Sequence, residues 1–407
     1  MNRVYFLMQL TLVSPMSIGS GESNYTDHDI ILDSRGNPII PATAIAGVFS
    51  HYLGDNKEEL FGCVKGQNES VSSHIKFYDA QELSGTFVTI RDCVALNDGE
   101  KTVKNKFDLQ AEETGADFEA VIELDDIGCN YCQRVEEAIA ALDRGLIGFG
   151  AKTSRGYGKV KIKKLQKAEF SLPENADKWL DFNMFNGQDE CYKIIAVSEN
   201  SDIRYTHISL SLSQNGGISI REYTTERQKD LQDESIAPNF KHITLNNEKH
   251  TPVIPGTSWA GAFRSRYSEL AGNEKCKKLF GFVSEENNDS SASRISFSES
   301  KIENSIKKLM TRTSIDRFSG GVKNSALFTE QVVFGGECTL DITVKDITND
   351  ECSALSAVIC DLDRGYLAVG GLASIGRGLF NVDNMTVNGI DVTGAMKHGD
   401  VSSMIKG

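Results

Sequence analysis

No stretch of this sequence is apolar enough to cross a bilayer. The longest apolar runs, residues 5–12 and 139–147, are broken by polar or charged side chains and fall well short of the ~20 residues a span requires. No secretory leader is read either, because Met1-Asn2-Arg3 runs directly into a strand-like segment, and a cytoplasmic protein is expected. Paired cysteines are missing: nine cysteines, odd in number and scattered, suit a reducing compartment and not a disulfide frame. Cys129 and Cys132 form a lone C-x-x-C with no second pair and no nearby histidine, so it reads as a helix-start coincidence, not half of a zinc site. The seven histidines form no cluster. Positive charge is in deficit as well, with 43 Lys and Arg against 57 Asp and Glu and a net charge of −14, which by itself argues against nucleic acid.

The distribution of charge qualifies that last exclusion. Residues 111–137 hold nine acids and one base, Arg134, whereas residues 151–167 hold seven bases and no acid. Segregation of this kind builds a basic face on an acidic protein, or a strand edge guarded by lysines.

What the chain does have is a glycine-rich stretch that occurs twice. Residues 142–160 read LDRGLIGFGAKTSRGYGKV and residues 362–382 read LDRGYLAVGGLASIGRGLFNV. Asp143, Gly150, Ser154, Gly156 and Gly158 match Asp363, Gly370, Ser374, Gly376 and Gly378 at a constant offset of 220 residues. A repeat at half the chain length means two copies of one domain. Upstream, PVIPGTSWAGAFRSRY (252–267) repeats PIIPATAIAGVFSHYL (38–53), and KLFGFV (278–283) repeats ELFGCV (59–64).

In order, the first copy reads as a strand at 4–13, a glycine-containing loop at 14–37, and a helix begun by Pro41 and capped by Thr43. Strands follow at 74–80, 86–94, 104–111 and 117–124, then an amphipathic helix at 131–146, the glycine loop and a last strand. Strand, helix, strands, helix, strand is the split pattern of a ferredoxin-like α+β sheet, with a hairpin inserted between the central strands. The expected domains are 1–164 and 202–390, joined by a linker at 165–201 and followed by a tail at 391–407.

Two features of each copy suit an anion. The helix starts point unpaired N–H groups and a positive dipole end outward. Thr43 and Gly47 lie there in the first copy, and Thr257, Ser258 and Gly261 in the second. The glycine loops can orient successive N–H groups as an anion nest, with charge from Lys152, Arg155 and Arg377 and hydroxyls from Ser154 and Ser374 around Gly156. A tight turn without a ligand is the alternative. In the second copy Arg312, Arg317 and Lys323 alternate with Phe318 and Phe328, where Phe328 is expected in the core; Lys101, Lys104 and Lys106 play the equivalent part in the first.

IPGTSWAGAFRSRY, the LFG that follows, SIDRFSGGVKNSALFTEQVV and the terminal glycine loop together resemble the RAMP superfamily of CRISPR effector proteins, above all the backbone subunits of type III complexes. The first half carries the same series in worn form. The resemblance implies two RNA-recognition-like domains in tandem, each gripping guide RNA, with the inserted hairpin as a thumb that kinks the guide–target duplex. It implies partners of guide RNA, target RNA and other effector subunits. It further implies that an Asp between the first strand and first helix cleaves target RNA with a divalent metal, Mg²⁺ or Mn²⁺. The matching position here is Asp27, with His28 beside it for proton transfer; as turn residues, Asp27 and Asp29 have a purely structural alternative. Counting back from Pro255 as from Pro41 reaches Lys241, which would touch phosphate and not cut, and leaves Asp230 and Asp233 further upstream. Arg264 and Arg266, where the first copy has Ser50 and Tyr52, make the second copy the stronger expected RNA holder. A non-cleaving cap subunit and a stand-alone guide-processing endoribonuclease, for which His242 is the residue to test, remain alternatives, as does a duplicated protein that binds a small anion or another protein.

Overall fold

The computed structural model describes residues 2–54, 57–65, 69–85, 87–96, 103–127, 130–198, 202–222, 240–245, 250–283 and 289–398. The chain divides into two compact units, one formed by residues 1–90, 108–153 and 157–202 and the other by residues 91–107, 154–156 and 203–407.

The first half runs β1 (Asn2–Leu12), α1 (Ala42–Leu53), β2 (Ile75–Phe77), β3 (Ala80–Ser84), β4 (Val88–Leu96), β5 (Val103–Glu112), β6 (Asp117–Asp126), α2 (Tyr131–Asp143) and β7 (Val160–Ser171). β1 is central, antiparallel to β7 on one side and to β6 on the other, and β6 also pairs β2 and β3. The order β7-β1-β6-β3 is the fourth-first-third-second arrangement of a ferredoxin-like sheet. Residues 4–8 of β1 are buried on both faces, which is why they form an unbroken apolar run instead of an alternation. One face meets the helices. On the other, Tyr5 and Leu7 meet Phe170, Trp179, Phe182 and Tyr192, with the Trp179 indole N–H donating to the Tyr5 hydroxyl at 2.9 Å.

Those aromatics correct the expected linker. β7 continues to Ser171 in register with β1, the helix Ala176–Asp181 follows, and Lys193–Ile194 pairs back on β7. Residues 165–198 are therefore part of the first unit, and their aromatics cover its sheet. Polar turn residues such as Asn183 and Asn186 suggested a tether, but they serve local turns between buried aromatics.

The second half repeats the order as β8 (Tyr205–Asn215), α3 (Gly256–Ala271), β9 (Ile295–Phe297), β10 (Ile306–Ile315), β11 (Val322–Phe334), β12 (Glu337–Lys345), α4 (Asn349–Asp363) and β13 (Leu379–Val387). Its sheet, β13-β8-β12-β9, is again antiparallel throughout. Alternation is clean here: Ile208, Leu210 and Leu212 face a core with Trp259, Phe263 and Tyr267, while Ser209, Ser211 and Ser213 face outward. Each large core side chain contributes roughly 2 kcal/mol by leaving water. The expected tail is also part of the fold through residue 398. Ile390–Asp391 pairs β13, and the helix Thr393–His398 buries Met396.

Both copies carry the same bulge in the last strand, opposite Gln9/Leu10 in β1 and Ser211/Leu212 in β8. The repeated Asp at the end of the second helix stitches that place: Asp143 Oδ1 accepts the Ile162 N–H at 2.8 Å and Asp363 Oδ1 the Val382 N–H at 2.9 Å. The inserted hairpins are β4–β5 and β10–β11.

Candidate nucleic-acid interface and carboxylate pair

The glycine loops are built by chain-on-chain packing. In the first, Ala151 N–H donates to Ser17 O at 2.8 Å and Gly158 N–H to Pro15 O at 2.7 Å; in the second, Gly371 N–H donates to Ser219 O at 3.0 Å and Gly378 N–H to Gly217 O at 2.9 Å. Gly158 and Gly378 have φ of 71° and 73°, and a Cβ there would sit 1.8 and 1.9 Å from the carbonyls of Phe149 and Val369. Several N–H groups expected to cradle an anion thus bind the chain's own carbonyls, and the glycines are required by contact. Among the loop side chains, Arg155 and Ser374 are exposed and Ser154 is half-buried. Lys152, in the left-handed region at φ 58°, holds its ammonium 6.0 Å from the Tyr157 ring centre.

Arg377 departs from its expected role. It is buried and donates to Glu330 Oε2 at 2.7 Å, while Ser219 Oγ and Arg221 Nε donate to Oε1 of the same carboxylate at 2.8 and 3.2 Å. Burial alone would raise the Glu330 carboxyl, but the Ser219 hydroxyl and the Arg377 guanidinium outweigh it and hold it below its ordinary value. His242 is buried beside this network, accepting the Ile220 N–H on Nδ1 at 3.0 Å with Nε2 at 3.1 Å from Val253 O. It is a core residue and not an exposed acid–base group.

Both helix starts face the chain itself. Each N-cap is a proline, Pro41 or Pro255, and neither Thr43 nor Thr257 caps through its side chain. The Ala42 N–H donates to Asp79 Oδ1 at 2.7 Å. At Gly256, within the second unit, a Cβ would lie 2.2 Å from Arg155 O. One turn on, the surface is open: Gly47 and Gly261 are exposed, with nothing within 4 Å of a Cβ, and Thr43 is exposed beside Gly47. Thr257 and Ser258 are half-buried. Arg266 is a second correction. Its Nε donates to Asp361 at 2.8 Å and its Nη1 to Glu269 at 2.8 Å, so it ties α3 to α4, and Arg264 reaches Gly281 O at 3.4 Å.

The tip of the β10–β11 hairpin is exposed. Asp316 accepts the N–H groups of Phe318 and Ser319 at 2.9 and 2.8 Å, and Arg317, Phe318 and Lys323 lie at the surface, Phe318 with 96% of its area accessible. Phe328 is half-buried, not core. In the first copy Lys101 lies outside the described residues, and Lys106 pairs with Asp92 at 3.4 Å.

Asp27 and Asp29 separate by role. Asp29 is buried and accepts from the N–H groups of Asn24, Tyr25 and Thr26 and from the Thr26 hydroxyl, so it is the turn residue. Asp27 and His28 are exposed. Asp27 N–H donates to Asp108 Oδ1 at 2.9 Å and Asp108 N–H to Asp27 Oδ2 at 3.0 Å, which brings two carboxylates together. Asp27 Oδ1 and Asp108 Oδ2 accept no hydrogen bond among the described residues. Asp108, 81 residues away, was not picked out from the sequence; only its place in the alternating run KFDLQ hinted that it faces opposite Phe107 and Leu109. No group of three His, Cys, Asp or Glu gathers as a metal cage among the described residues.

The register corrects the counterpart in the second copy. His28 bridges Leu109 and accepts the Gln110 N–H, and Phe240 bridges Glu330 and accepts the Gln331 N–H. Phe240 thus matches His28, and the residue matching Asp27 is number 239, an asparagine outside the described residues, not Lys241. Lys241 is half-buried and pairs with Glu222 along the backbone. Asp230 and Asp233 also lie outside the described residues.

A family model described as the RAMP superfamily matches residues 9–161 and 235–381. No curated protein matches the chain. Among solved structures, one titled as a type III-B Cmr-beta complex bound to cognate target RNA is similar at 13% identity and a TM-score of 0.34. The match takes in 46% of this chain and 61% of the other. This chain therefore spans less than two thirds of that relative.

Proposed function

Since the chain belongs to the RAMP superfamily, with two family regions in tandem, we propose that it is a guide-RNA-binding subunit of a type III-like CRISPR ribonucleoprotein whose first domain cuts guide-bound target RNA. Its partners on this reading are guide RNA, target RNA and other effector subunits, in the cytoplasm. Among the described residues no helix is long and apolar enough to cross a membrane.

The observation that carries the cleavage reading is the exposed Asp27 carboxylate held next to Asp108. The donor set suits a hard divalent cation such as Mg²⁺ or Mn²⁺, because such ions take one or two carboxylates and fill the remaining positions with water and phosphate oxygens. When bound, the ion supplies positive charge at the scissile phosphate. Asp27 would hold it, and exposed His28 would take or return the proton exchanged by the 2′-hydroxyl and leaving oxygen. Guide RNA would be held through its backbone by the exposed Arg155, Ser374, Arg317 and Lys323 and over the open surface at Gly47 and Gly261, with half-buried Thr257, Ser258, Lys152, Ser154 and Lys241 at its margin. Base pairing, not the protein, would then supply sequence recognition.

Target-RNA cleavage by the ribonucleoprotein with Asp27→Ala is the test. One set of cuts is expected to disappear while guide RNA stays bound; cuts of undiminished rate at every position would remove Asp27 from the role.

A further inference from the structure

We propose that Asp108 is the positioning residue for Asp27, an inference that rests on the cleavage reading above. The two residues exchange hydrogen bonds that do different things. Asp108 Oδ1 accepts the Asp27 N–H at 2.9 Å and fixes the loop backbone at that residue. Asp108 N–H donates to Asp27 Oδ2 at 3.0 Å and fixes the rotamer of the carboxylate. A carboxylate on an exposed loop otherwise samples several rotamers, and a ligand that must be ordered on binding binds and reacts less well than one ordered beforehand. β5 is the anchor. The loop lies along it through the His28–Leu109 bridge and the Gln110 N–H to His28 O bond at 3.0 Å, so the strand imposes its order on the loop.

The second copy provides an internal comparison. By the same register, Thr329 stands where Asp108 stands, its hydroxyl bonded to the Thr311 hydroxyl at 2.9 Å and its carbonyl accepting the Phe240 N–H at 3.4 Å. The strand still holds the loop at Phe240, but at the position of Asp108 it carries a hydroxyl and not a carboxylate. The pinning device is found in the copy that has Asp27.

Three variants of the chain test this: Asp108→Ala, Asp108→Asn and Asp27→Ala. Asn keeps an Oδ1 acceptor for the Asp27 N–H and removes the charge, and every variant keeps the residue-108 N–H. Amide hydrogen exchange at Asp27 in the purified chain, without RNA or metal, is expected to rise about tenfold in Asp108→Ala and to stay near wild type in Asp108→Asn. In the ribonucleoprotein, Asp108→Ala is expected to slow cleavage about 10- to 100-fold with guide affinity unchanged, and Asp108→Asn to restore most of that rate. Wild-type exchange and cleavage in Asp108→Ala would overturn the proposal. So would an Asp108→Asn rate as low as that of Asp108→Ala, which would make the charge, not the hydrogen bond, the contribution. Undiminished cleavage in Asp27→Ala would instead sink the cleavage reading, while the exchange measurement still reports on the Asp108 bond.

Discussion

Glu330 and His242 sit in one buried neighbourhood and respond to acid in different pH ranges. The His242 ring is pushed down to about 4, first by burial and then by the Lys307 ammonium, against its bond to Val253 O and the Glu330 charge, which act the other way. Its Nδ1 already accepts the Ile220 N–H, so protonation there would set two donors face to face. In the unfolded chain the same ring takes a proton near pH 6.5. Folding therefore loses stability as the pH falls from about 6.5 to 4, with a limit of about 3 kcal/mol, and gains nothing from this group above that range. Glu330, held below its ordinary value in the fold, contributes stability that is lost only at lower pH, as it is finally protonated. Thermal melts at pH 6.5 and 4.5 are expected to show a clear loss for the wild-type chain and a much smaller one for His242→Gln, whose amide can accept one bond and donate the other. An equal loss in both chains would place the acid sensitivity elsewhere. Arg377 belongs to this neighbourhood too, which its sequence context could not show: a basic residue in a glycine loop reads as an anion ligand until the strand that lies against it is known to carry Glu330.

The repeated Asp-Arg-Gly at the end of the second helix was legible as a repeat but not as a device. Its purpose depends on a bulge in the last strand, which leaves one N–H without its ladder partner, and no pattern of apolar residues announces a bulge. Asp143 and Asp363 each accept that N–H. Replacing Asp363 by Ala strands a half-buried donor and is expected to cost about 1–3 kcal/mol, while Asn, which keeps the acceptor, is expected to recover much of it. Denaturant midpoints of the two variants decide the matter, and equal midpoints would mean that water serves the Val382 N–H. The elements themselves were readable: the apolar run of β1, the proline-started helices and the strand order all follow from periodicity and turn residues. What lay beyond reach was anything set by a partner across space. Arg266 pairs with Asp361 on another helix, Asp108 lies on β5, 81 residues from the loop it holds, and Lys241 corresponds to Asp27 only if the two loops are equally long.

The two copies present different outer sheet faces. In the first, Tyr5 and Phe170 are covered by Trp179, Phe182 and Tyr192 from the chain that follows. In the second the face bears half-buried Tyr205 and His207 at one end and, beyond them, Ser209, Ser211, Ser213, Asp341 and Asp383, with Ser209 and Ser213 bonded to the two acids. RNA-recognition sheets stack bases on exposed aromatics; with the first face covered and most of the second polar, the proposed RNA would lie on the loops and hairpin, where its phosphates would meet the cations that remain at the surface. With a net charge of −14, such binding depends on local charge and is steep in salt. Neutralising Arg155, Arg317 and Lys323 together as glutamines is expected to weaken guide binding and to lower the slope of log affinity against log salt by about 2, from ~0.7 per lost contact on a single strand. Ser209→Ala with Ser211→Ala, on the outer face, is expected to leave both affinity and slope unchanged. Titrations of labelled guide RNA between ~50 and ~200 mM salt separate the two surfaces. A slope that moves with the serines and not with the cations would put the RNA on the sheet and leave the glycine loops as structure alone.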